Sequence, residues 1–283
     1  CSKVQVSDLK LIRTLCFDHL ITQKKQPNII MKYVAIIPAR YASTRFPAKP
    51  LALLNGKPII QRVYERVAEQ LEEVYVATDD DRIFSAVEQF GGKAIMTSTS
   101  HRSGTDRCRE AYELSGSQAD VIINVQGDEP FIQASQLEAI RRPFEEDAAT
   151  DIATLVMPFP ADTPFETLSN PNSPKVVVSH NHRALYFSRS VIPFLRGIEQ
   201  EQWAANHVFY KHIGLYAYTA DALKRITQMP VSSLEQAESL EQLRWLQAGL
   251  DIRVGYTHAE TIGIDTPEDL ARAEEWLKNH TDK

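Results

Sequence analysis

Three cationic side chains lie within ten residues of one another, in the segment that runs from Pro38 to Pro50. They are Arg40, Arg45 and Lys49. Long cationic side chains gather around a polyanion because each phosphate oxygen accepts a charge-assisted hydrogen bond. A triphosphate group matches such a loop. The alternative is a basic loop that is only solvated, but a local cluster of cations in a chain of net charge −6 favours phosphate binding.

Two acidic residues, Asp128 and Asp265, each lie at a predicted strand end and beside a turn residue. Mg²⁺ prefers one or two carboxylates together with substrate phosphates and water. Two acids at strand ends that are remote in sequence can therefore meet at one metal ion. As helix caps they need no metal, and Asp265, which precedes Thr266 and Pro267, fits that alternative well. Both acids together, opposite a basic loop, favour a metal site.

Thr78 and Asp79 follow another predicted strand, and the hydroxyl-rich segment 100–105 comes later. Such groups suit contacts with a nucleotide base or ribose, and they suit turns and helix caps equally well. The run Asp79-Asp80-Asp81 also has the DxD pattern of glycosyltransferases that use a finished nucleotide sugar. Its place at a predicted helix start favours capping.

Several familiar motifs are absent from the sequence. The first predicted strand is not followed by GxGxxG, and the chain contains neither GxxxxGK with a following Ser or Thr nor GxSxG. These absences argue against a dinucleotide oxidoreductase, a P-loop nucleotidase and an α/β-hydrolase. His180 and His182 are near neighbours without further ligands at metal spacing, which favours ordinary strand or surface positions.

Strands and helices alternate in the first half of the chain, which is typical of a mostly parallel sheet covered on both faces. The predicted strands are 33–37 (stopped by Pro38), 74–77, 93–96 and 121–125, and the predicted helices cover 59–71, 81–90 and 105–114. In such sheets ligands bind beyond the carboxyl ends of the strands. The basic loop, Thr78 and Asp128 all follow strands, so we expect them at one edge.

Later the pattern is less regular, and few helices separate the predicted strands. These strands are 152–157, 175–179, 184–188 and 212–218. We therefore expect antiparallel pairing and an irregular lobe within about 152–218. Helical periodicity returns over 234–248, followed by a strand at 252–256 and a closing helix at 267–279.

Composition limits the class of protein. With 43% hydrophobic and 24% charged residues, the chain fits one large α/β domain or a domain with a small lobe. The three cysteines form no CxxC pair, which indicates a reducing compartment, and the net charge argues against a nucleic-acid partner. No apolar run is long enough to cross a bilayer. We expect a cytoplasmic protein in which residues 1–30 are an extension of no assigned function and the functional domain begins at Met31.

Several segments, taken together in their order along the chain, resemble the motifs of one protein family. The segment 34–51 is similar to the signature loop of the 3-deoxy-manno-octulosonate cytidylyltransferases, also called CMP-Kdo synthetases. Further similar segments cover essentially all of the chain from Met31 to about Trp276: 77–79, 101–105, 124–130, 185–189, 212–216, 240–244 and 265–270. The resemblance implies a Rossmann-like nucleotidyltransferase fold, an α/β fold with a mostly parallel central sheet flanked by helices and a small antiparallel dimerisation lobe.

The resemblance also implies an activity, partners and site residues. The reaction converts CTP and Kdo to CMP-Kdo and pyrophosphate for lipopolysaccharide biosynthesis, and members are usually homodimers. The implied catalytic residues are Arg40, Arg45, Lys49, Asp128 and Asp265, the last two as Mg²⁺ ligands. The implied nucleotide contacts are Ala39, Arg40, Arg45, Lys49, Thr78, Asp79, Arg102, Ser103 and Gln126. The implied sugar contacts are Gln126, Arg189, His212, Tyr216, Glu241 and Gln242.

Two positions depart from the family pattern. Many relatives have Gly where Ala48 stands, and Ala is tolerated there if its φ is negative. The run 260–263 replaces an expected Pro-Gly-rich turn before Asp265. Two alternatives stay open from the residues. A related cytidylyltransferase could use sialic acid or an amino analogue of Kdo, although the loop favours Kdo over sialic acid. A catalytically silent nucleotide-binding protein is disfavoured by the presence of both acids and all three cations. No residue is assigned as general base.

Overall fold

The computed structural model describes residues 31–42, 46–260 and 263–280. Its strands are β1 (Tyr33–Ala39), β2 (Leu53–Leu54), β3 (Lys57–Pro58), β4 (Glu73–Thr78), β5 (Ala94–Met96), β6 (Val121–Asn124), β7 (Ile152–Pro158), β8 (Lys175–Val178), β9 (Ala184–Ser188), β10 (Tyr210–Thr219) and β11 (Arg253–Tyr256). The central sheet has the order β11-β7-β10-β6-β1-β4-β5, and β8 joins it by pairing with β10 and β9.

Most neighbours along this path are parallel. The strand β1 pairs in parallel with β4 and β6, β4 pairs in parallel with β5, and β7 pairs in parallel with β11. The long strand β10 runs antiparallel between β6 and β7. The carboxyl ends of β1, β4, β5 and β6 therefore meet at one edge of the sheet. The predicted mostly parallel α/β sheet is confirmed.

Helices cover both faces of the sheet. They are α1 (Ile59–Ala68), α2 (Asp81–Gln89), α3 (Gly104–Ser115), α4 (Ala134–Glu146), α5 (Phe165–Leu168), α6 (Trp203–Asn206), α7 (Ala220–Thr227), α8 (Ser233–Glu238), α9 (Gln242–Gln247) and α10 (Pro267–His280), with 3-10 turns at Lys49–Leu51 and Gln200–Gln202. Among the described residues, no helix combines the length and apolarity that crossing a bilayer needs.

The alternation of β1 shows how two cores arise. Ala35 and Ile37 pack with buried residues of α1, α2 and α4, whereas Val34 and Ile36 pack on the other face with buried residues of α3, α7 and α9. Successive side chains of a strand point to opposite faces, so a strand covered on both sides is apolar throughout. This sandwich fixes the strand ends on which the candidate site is built.

The second half forms the expected antiparallel region. The strands β8 and β9 form a hairpin, and β8 also pairs antiparallel with β10. Beside them lies a small separate cluster of Leu168, Trp203 and Phe209. The antiparallel pairing is confirmed, while the role of the lobe in dimerisation stays a prediction. Residues 1–30, predicted to be an extension, lie outside the described residues.

Two predicted elements differ from the structure. Pro38 does not stop β1, because β6 pairs with β1 only as far as Ile36 and the missing N–H of Pro38 falls beyond that ladder. The predicted helix over 234–248 is two helices, α8 and α9, separated at Ser239, whose φ is +51°. Arg189 stabilises this break by donating to the carbonyl oxygens of Glu238 and Ser239.

Candidate active site

The basic loop leaves the carboxyl end of β1 and folds back on itself. The N–H of Ala48 donates to the carbonyl oxygen of Tyr41 at 3.0 Å, which closes the loop. Arg40 lies exposed at its start, and Ala39, the last residue of β1, is buried. Residues 43–45 lie outside the described residues, so the predicted phosphate contact of Arg45 stays a prediction.

Ala48 adopts a left-handed conformation, with φ +60° and ψ +15°, just before the 3-10 turn that carries Lys49. Alanine was expected to be tolerated at position 48 if its φ were negative, but the observed φ is positive. A side chain in this region costs roughly 1 kcal/mol or more, which glycine avoids. The loop geometry is held at this cost.

Lys49 connects the basic loop to both predicted metal ligands. Its Nζ donates to Asp128 Oδ2 at 2.5 Å and to Asp265 Oδ1 at 3.0 Å, while only 14% of its side chain is exposed. The two carboxylates are 28% and 45% exposed. Residues separated by 216 positions in the chain thus converge on one cation. Asp128 and Asp265 lie not at strand ends, as predicted, but in the loops that follow β6 and β11, at the edge where parallel sheets bind ligands.

Close backbone packing places Asp128. A Cβ built on Gly127 would lie 2.8 Å from the carbonyl oxygen of Pro38, so glycine is required where this loop passes the end of β1. The carbonyl oxygen of Asp128 accepts a hydrogen bond from the N–H of Ile264 at 2.9 Å. The loops that carry the two acids are therefore joined through their backbones.

The capping alternative for Asp265 is not what the structure shows. Thr266 Oγ1 accepts from the N–H of Asp269, and Asp269 Oδ2 accepts from the N–H groups of Asp265 and Thr266. This reciprocal pair caps α10. The side chain of Asp265 is thereby left to contact Lys49.

The electrostatics of this centre are strongly coupled. Burial alone would lower the pKa of Lys49, but the carboxylates of Asp128 and Asp265 outweigh burial and raise it above its ordinary value. Burial and the charge of Asp128 raise the pKa of the neighbouring Glu129 to about 7, against an opposing effect of Lys211. The centre therefore holds a fully protonated ammonium between two acids.

The predicted nucleotide side of the site is built at the ends of β4 and β5. Thr78 is fully buried, and its carbonyl oxygen accepts from both the N–H and the hydroxyl of Thr97. Asp79 is paired with Arg107 on α3, at 2.7 Å. Asp80 caps α2 by accepting from the N–H of Arg82, which confirms capping at that position.

The two residues just before α3 are further predicted nucleotide contacts. Ser103 caps the helix, because its hydroxyl accepts from the N–H of Asp106 at 3.1 Å. Arg102, just before it, is exposed. The loop before α3 is held by Glu110, which accepts from the N–H of Ser98 and lies 2.5 Å from the His101 ring nitrogen.

The predicted sugar residues lie along β10 and its neighbours. Gln126 donates to the carbonyl oxygen of Gly214 at 3.2 Å. His212 Nε2 lies 2.9 Å from Thr154 Oγ1, and burial lowers the pKa of this imidazole to about 3. The ring of Tyr216 packs 5.4 Å from that of His212. A neutral imidazole can donate a hydrogen bond to a sugar but offers no positive charge.

Glu241 and Gln242 begin α9, beside β10. Glu241 accepts from Thr105 at 2.7 Å and from Arg244 at 2.8 Å, and burial, partly offset by these contacts, raises its pKa. Gln242 is 3% exposed, and its Nε2 has no hydrogen-bond partner among the described residues. Arg189 donates to three backbone carbonyls, of Pro171, Glu238 and Ser239. The roles of all three in sugar binding stay predictions.

The structure adds residues that the sequence reasoning missed. Arg107 and Thr97 hold the two strand ends on the nucleotide side. In the sequence, Arg107 looks like an ordinary solvated helix residue. The one sign of its burial is its position four residues after the cap Ser103, which places it on the helix face that packs against the sheet.

The sequence is similar to that of known cytidylyltransferases along most of its length. Residues 34–252 match the family model described as Cytidylyltransferase. A 3-deoxy-manno-octulosonate cytidylyltransferase of Phocaeicola vulgatus is 67% identical over 88% of this chain and 98% of its own length. One of Bacteroides thetaiotaomicron is 63% identical over 89% of this chain and its full length.

The chain belongs to the 3-deoxy-manno-octulosonate cytidylyltransferase family.

Solved structures agree with this membership. A CMP:2-keto-3-deoxy-manno-octonic acid synthetase complexed with CTP has a TM-score of 0.80 and 45% identity, over 88% of this chain and 99% of that one. HddC from Yersinia pseudotuberculosis, at 16% identity and a TM-score of 0.59, shares the fold alone. The predicted family, the nucleotidyltransferase fold and the enzyme class of this cytidylyltransferase are confirmed.

Proposed function

We propose that the chain transfers CMP from CTP to Kdo, giving CMP-Kdo and pyrophosphate. The observation that carries this proposal is the convergence of Lys49, Asp128 and Asp265 at the carboxyl edge of a parallel sheet. Family membership, and the CTP bound to a relative of 45% identity, support CTP as the nucleotide. The names of the relatives support Kdo as the acceptor. We also propose that the CMP-Kdo formed serves lipopolysaccharide biosynthesis, as the resemblance to the family implies.

In the proposed step the anomeric 2-hydroxyl of the sugar attacks the α-phosphorus of CTP in line. A bond forms between the sugar oxygen and the α-phosphorus, the bond from the α-phosphorus to the bridging oxygen breaks, and pyrophosphate leaves. The protein positions the reactants and neutralises the charge that develops, because phosphoryl transfer needs little covalent chemistry from side chains. The proton of the attacking hydroxyl passes to solvent, and we assign no general base.

Lys49 and Arg40, together with Arg45 of the same loop, bind the triphosphate and stabilise the leaving pyrophosphate. Lys49 suits this role because it stays protonated in the site and lies at the meeting point of both acids. Arg40 is exposed at the start of the loop, where it can reach a ligand in solution. The charge of each cation stabilises the phosphates more strongly when the substrate excludes water from the site, because the effective dielectric constant is then lower.

We further propose Mg²⁺ as the cofactor and Asp128 and Asp265 as its ligands. The donor set fits, since two carboxylates already converge on one cationic nitrogen. Among the described residues no group of three or more His, Cys, Asp or Glu side chains could hold a metal ion, so the remaining oxygens would come from phosphates and water, as Mg²⁺ prefers. When bound, the ion supplies positive charge that lowers the pKa of the attacking hydroxyl.

The sugar is proposed to lie against β10, α9 and the end of β9. Gln126, His212, Tyr216, Glu241 and Gln242 then contact its hydroxyls and carboxylate, and Arg189 orients the acidic group. Support comes from Gln242, a buried amide whose donor lacks a protein partner, because buried donors are normally hydrogen-bonded. Ala39, Thr78, Asp79, Arg102 and Ser103 complete the nucleotide side.

Assembly and location are further parts of the proposal. A homodimer formed through the lobe would cover Leu185 and Phe194, whose side chains are 59% and 72% exposed. Removal of these two apolar side chains from water would favour such an interface. The proposed location is the cytoplasm, where CTP is available and the buried thiol of Cys108 stays reduced.

The test is pyrophosphate release by the purified chain with Mg²⁺, offering CTP, UTP, ATP and GTP separately, each with Kdo or with an amino analogue of Kdo. The expected result is that CTP, but none of the other three nucleotides, supports pyrophosphate release, and that this release requires both Kdo and Mg²⁺. Release with CTP that requires an amino analogue of Kdo instead would correct the acceptor. No release with any nucleotide, from a folded chain, would contradict the proposed activity and favour a silent nucleotide-binding protein.

A further inference from the structure

Arg107 is a charged residue buried inside the domain. Only 1% of its side chain is exposed. Its Nη1 donates to Thr97 Oγ1 at 2.6 Å, and its Nη2 donates to Asp79 Oδ2 at 2.7 Å. Burying a guanidinium group carries a large desolvation penalty, and replacing a buried ion pair by apolar side chains is often neutral for stability. Stability alone therefore gives a weak reason for this arrangement.

The partners of Arg107 lie at the ends of two strands. Asp79 directly follows β4, and Thr97 directly follows β5. Thr97 in turn donates to the carbonyl oxygen of Thr78 through its N–H at 2.8 Å and its hydroxyl at 3.0 Å. One guanidinium group thus fixes both strand ends relative to each other.

Arg107 also lies on α3, the helix that begins directly after the proposed nucleotide contacts Arg102 and Ser103. Its N–H donates to the carbonyl oxygen of Ser103, the residue that caps α3, and Arg102 precedes that cap. A shift of Arg107 would consequently move the proposed nucleotide contacts before α3 away from those at the end of β4. The planar fork suits this task, because it can donate to two partners at a fixed angle, whereas a lysine offers one point charge.

We infer that Arg107 is the positioning residue of the nucleotide half of the site: through Asp79 and Thr97 it sets the affinity for CTP, and it touches neither substrate. The inference rests on the proposed function, since it assumes that the ends of β4 and β5 bind the nucleotide. It concerns affinity for CTP, so it can be tested by binding as well as by turnover.

The experiment measures CTP affinity by calorimetry, KM for CTP and for Kdo, kcat and melting temperature for three variants. Arg107→Met should weaken CTP binding by about a hundredfold, and Arg107→Lys, which keeps the charge and loses the fork, by about tenfold. In both, kcat and KM for Kdo should change by less than about threefold. Arg109→Met is the matched control, because Arg109 lies on the same helix and pairs with Glu113; it should bind CTP like the wild type.

Thr97→Val keeps the inference testable if Arg107→Met does not fold. The exchange conserves volume and removes only the hydroxyl that links Arg107 to Thr78, so a several-fold loss of CTP affinity is expected. Wild-type CTP affinity in folded Arg107→Lys and Thr97→Val would overturn the inference, even with a lowered melting temperature. A wild-type chain that binds CTP without releasing pyrophosphate contradicts the proposed activity only, and the affinities still decide the role of Arg107. A wild type that binds no CTP overturns both.

Discussion

The ammonium group of Lys49 lies 2.5 Å from a carboxylate oxygen of Asp128, and the same nitrogen lies 3.0 Å from Asp265. The lysine therefore bridges the two acids that we propose as metal ligands, and it reaches them from the loop that we propose binds phosphate. In this arrangement the positive charge of the lysine compensates the repulsion between the two acids.

Replacing Lys49 by Met should separate metal binding from catalysis. Without the ammonium group, the two acids attract a cation more strongly, so Mn²⁺ should bind the nucleotide-free variant more tightly than the wild type, by about tenfold. Pyrophosphate release should nevertheless fall by about a hundredfold, because charge on the leaving group is no longer stabilised. Electron paramagnetic resonance of free Mn²⁺ measures the first effect. Lys57→Met, a lysine paired with Glu65 outside the site, should change neither quantity.

Asp128→Asn tests the first proposed ligand. The amide keeps the size of the side chain and loses the charge, so kcat/KM should fall by about a hundredfold or more. The melting temperature should change little, because the carboxylate is partly exposed and an amide oxygen can still accept from Lys49. Asp162→Asn, on an exposed loop after β7, is the control. Near-normal turnover in Asp128→Asn would be evidence against the metal assignment.

Ala48→Gly should stabilise the fold. At φ +60° the methyl group of Ala is strained by about 1–2 kcal/mol, while the greater freedom of Gly in the unfolded chain costs about 0.5–1 kcal/mol. We therefore expect the free energy of unfolding to rise by about 0.5–1 kcal/mol in urea denaturation. The control is Ala52→Gly, where φ is −60° and the same exchange should destabilise. A loss of stability in both variants would mean that the loop does not hold this conformation.

The pH dependence of stability should report on His212. Burial lowers its pKa to about 3 in the folded chain, against about 6.5 when unfolded, so the unfolded state binds a proton that the folded state refuses. The contribution of the neutral His212 to the free energy of unfolding is complete above pH of about 6.5, the pKa in the unfolded chain, and is lost progressively as the pH falls below that value. Between pH of about 7.5 and about 5.5 the free energy of unfolding should drop by about 1.4 kcal/mol from this residue.

His212→Asn should remove that part of the drop, whereas His180→Asn, at an exposed position, should retain it. Denaturation in urea at the two pH values measures the difference. An unchanged slope in His212→Asn would show that the imidazole is accessible to protons in the fold.

The main parts of the site were predictable because topology, rather than local shape, gathers them. Lys49 and Asp128 follow β1 and β6, and Thr78 ends β4; these three strands are parallel neighbours in the sheet, and their carboxyl ends share an edge. The features that could not be predicted from the sequence depend on contacts between residues that are remote in the chain. Arg107 looks like a solvated helix residue until Asp79, 28 positions away, is placed beside it.

The break between α8 and α9 was missed for a similar reason. The helical periodicity of 234–248 is continuous, and the interruption depends on the left-handed Ser239 and on Arg189, 50 positions earlier, which donates to its carbonyl oxygen. The backbone angle of Ala48 was equally hidden, because residue type alone gives no φ. It follows from the closure of the loop between Ala48 and Tyr41.

The reaction proposed for this chain transfers the α-phosphate of CTP, as CMP, to Kdo. The most direct test supplies Kdo, Mg²⁺ and CTP that carries radioactive phosphorus either at the α or at the γ position, and separates the products. We expect the α label in a product that also contains the sugar, and the γ label in pyrophosphate. An α label that is released as CMP without sugar, or that stays in CTP, would contradict the proposed transfer.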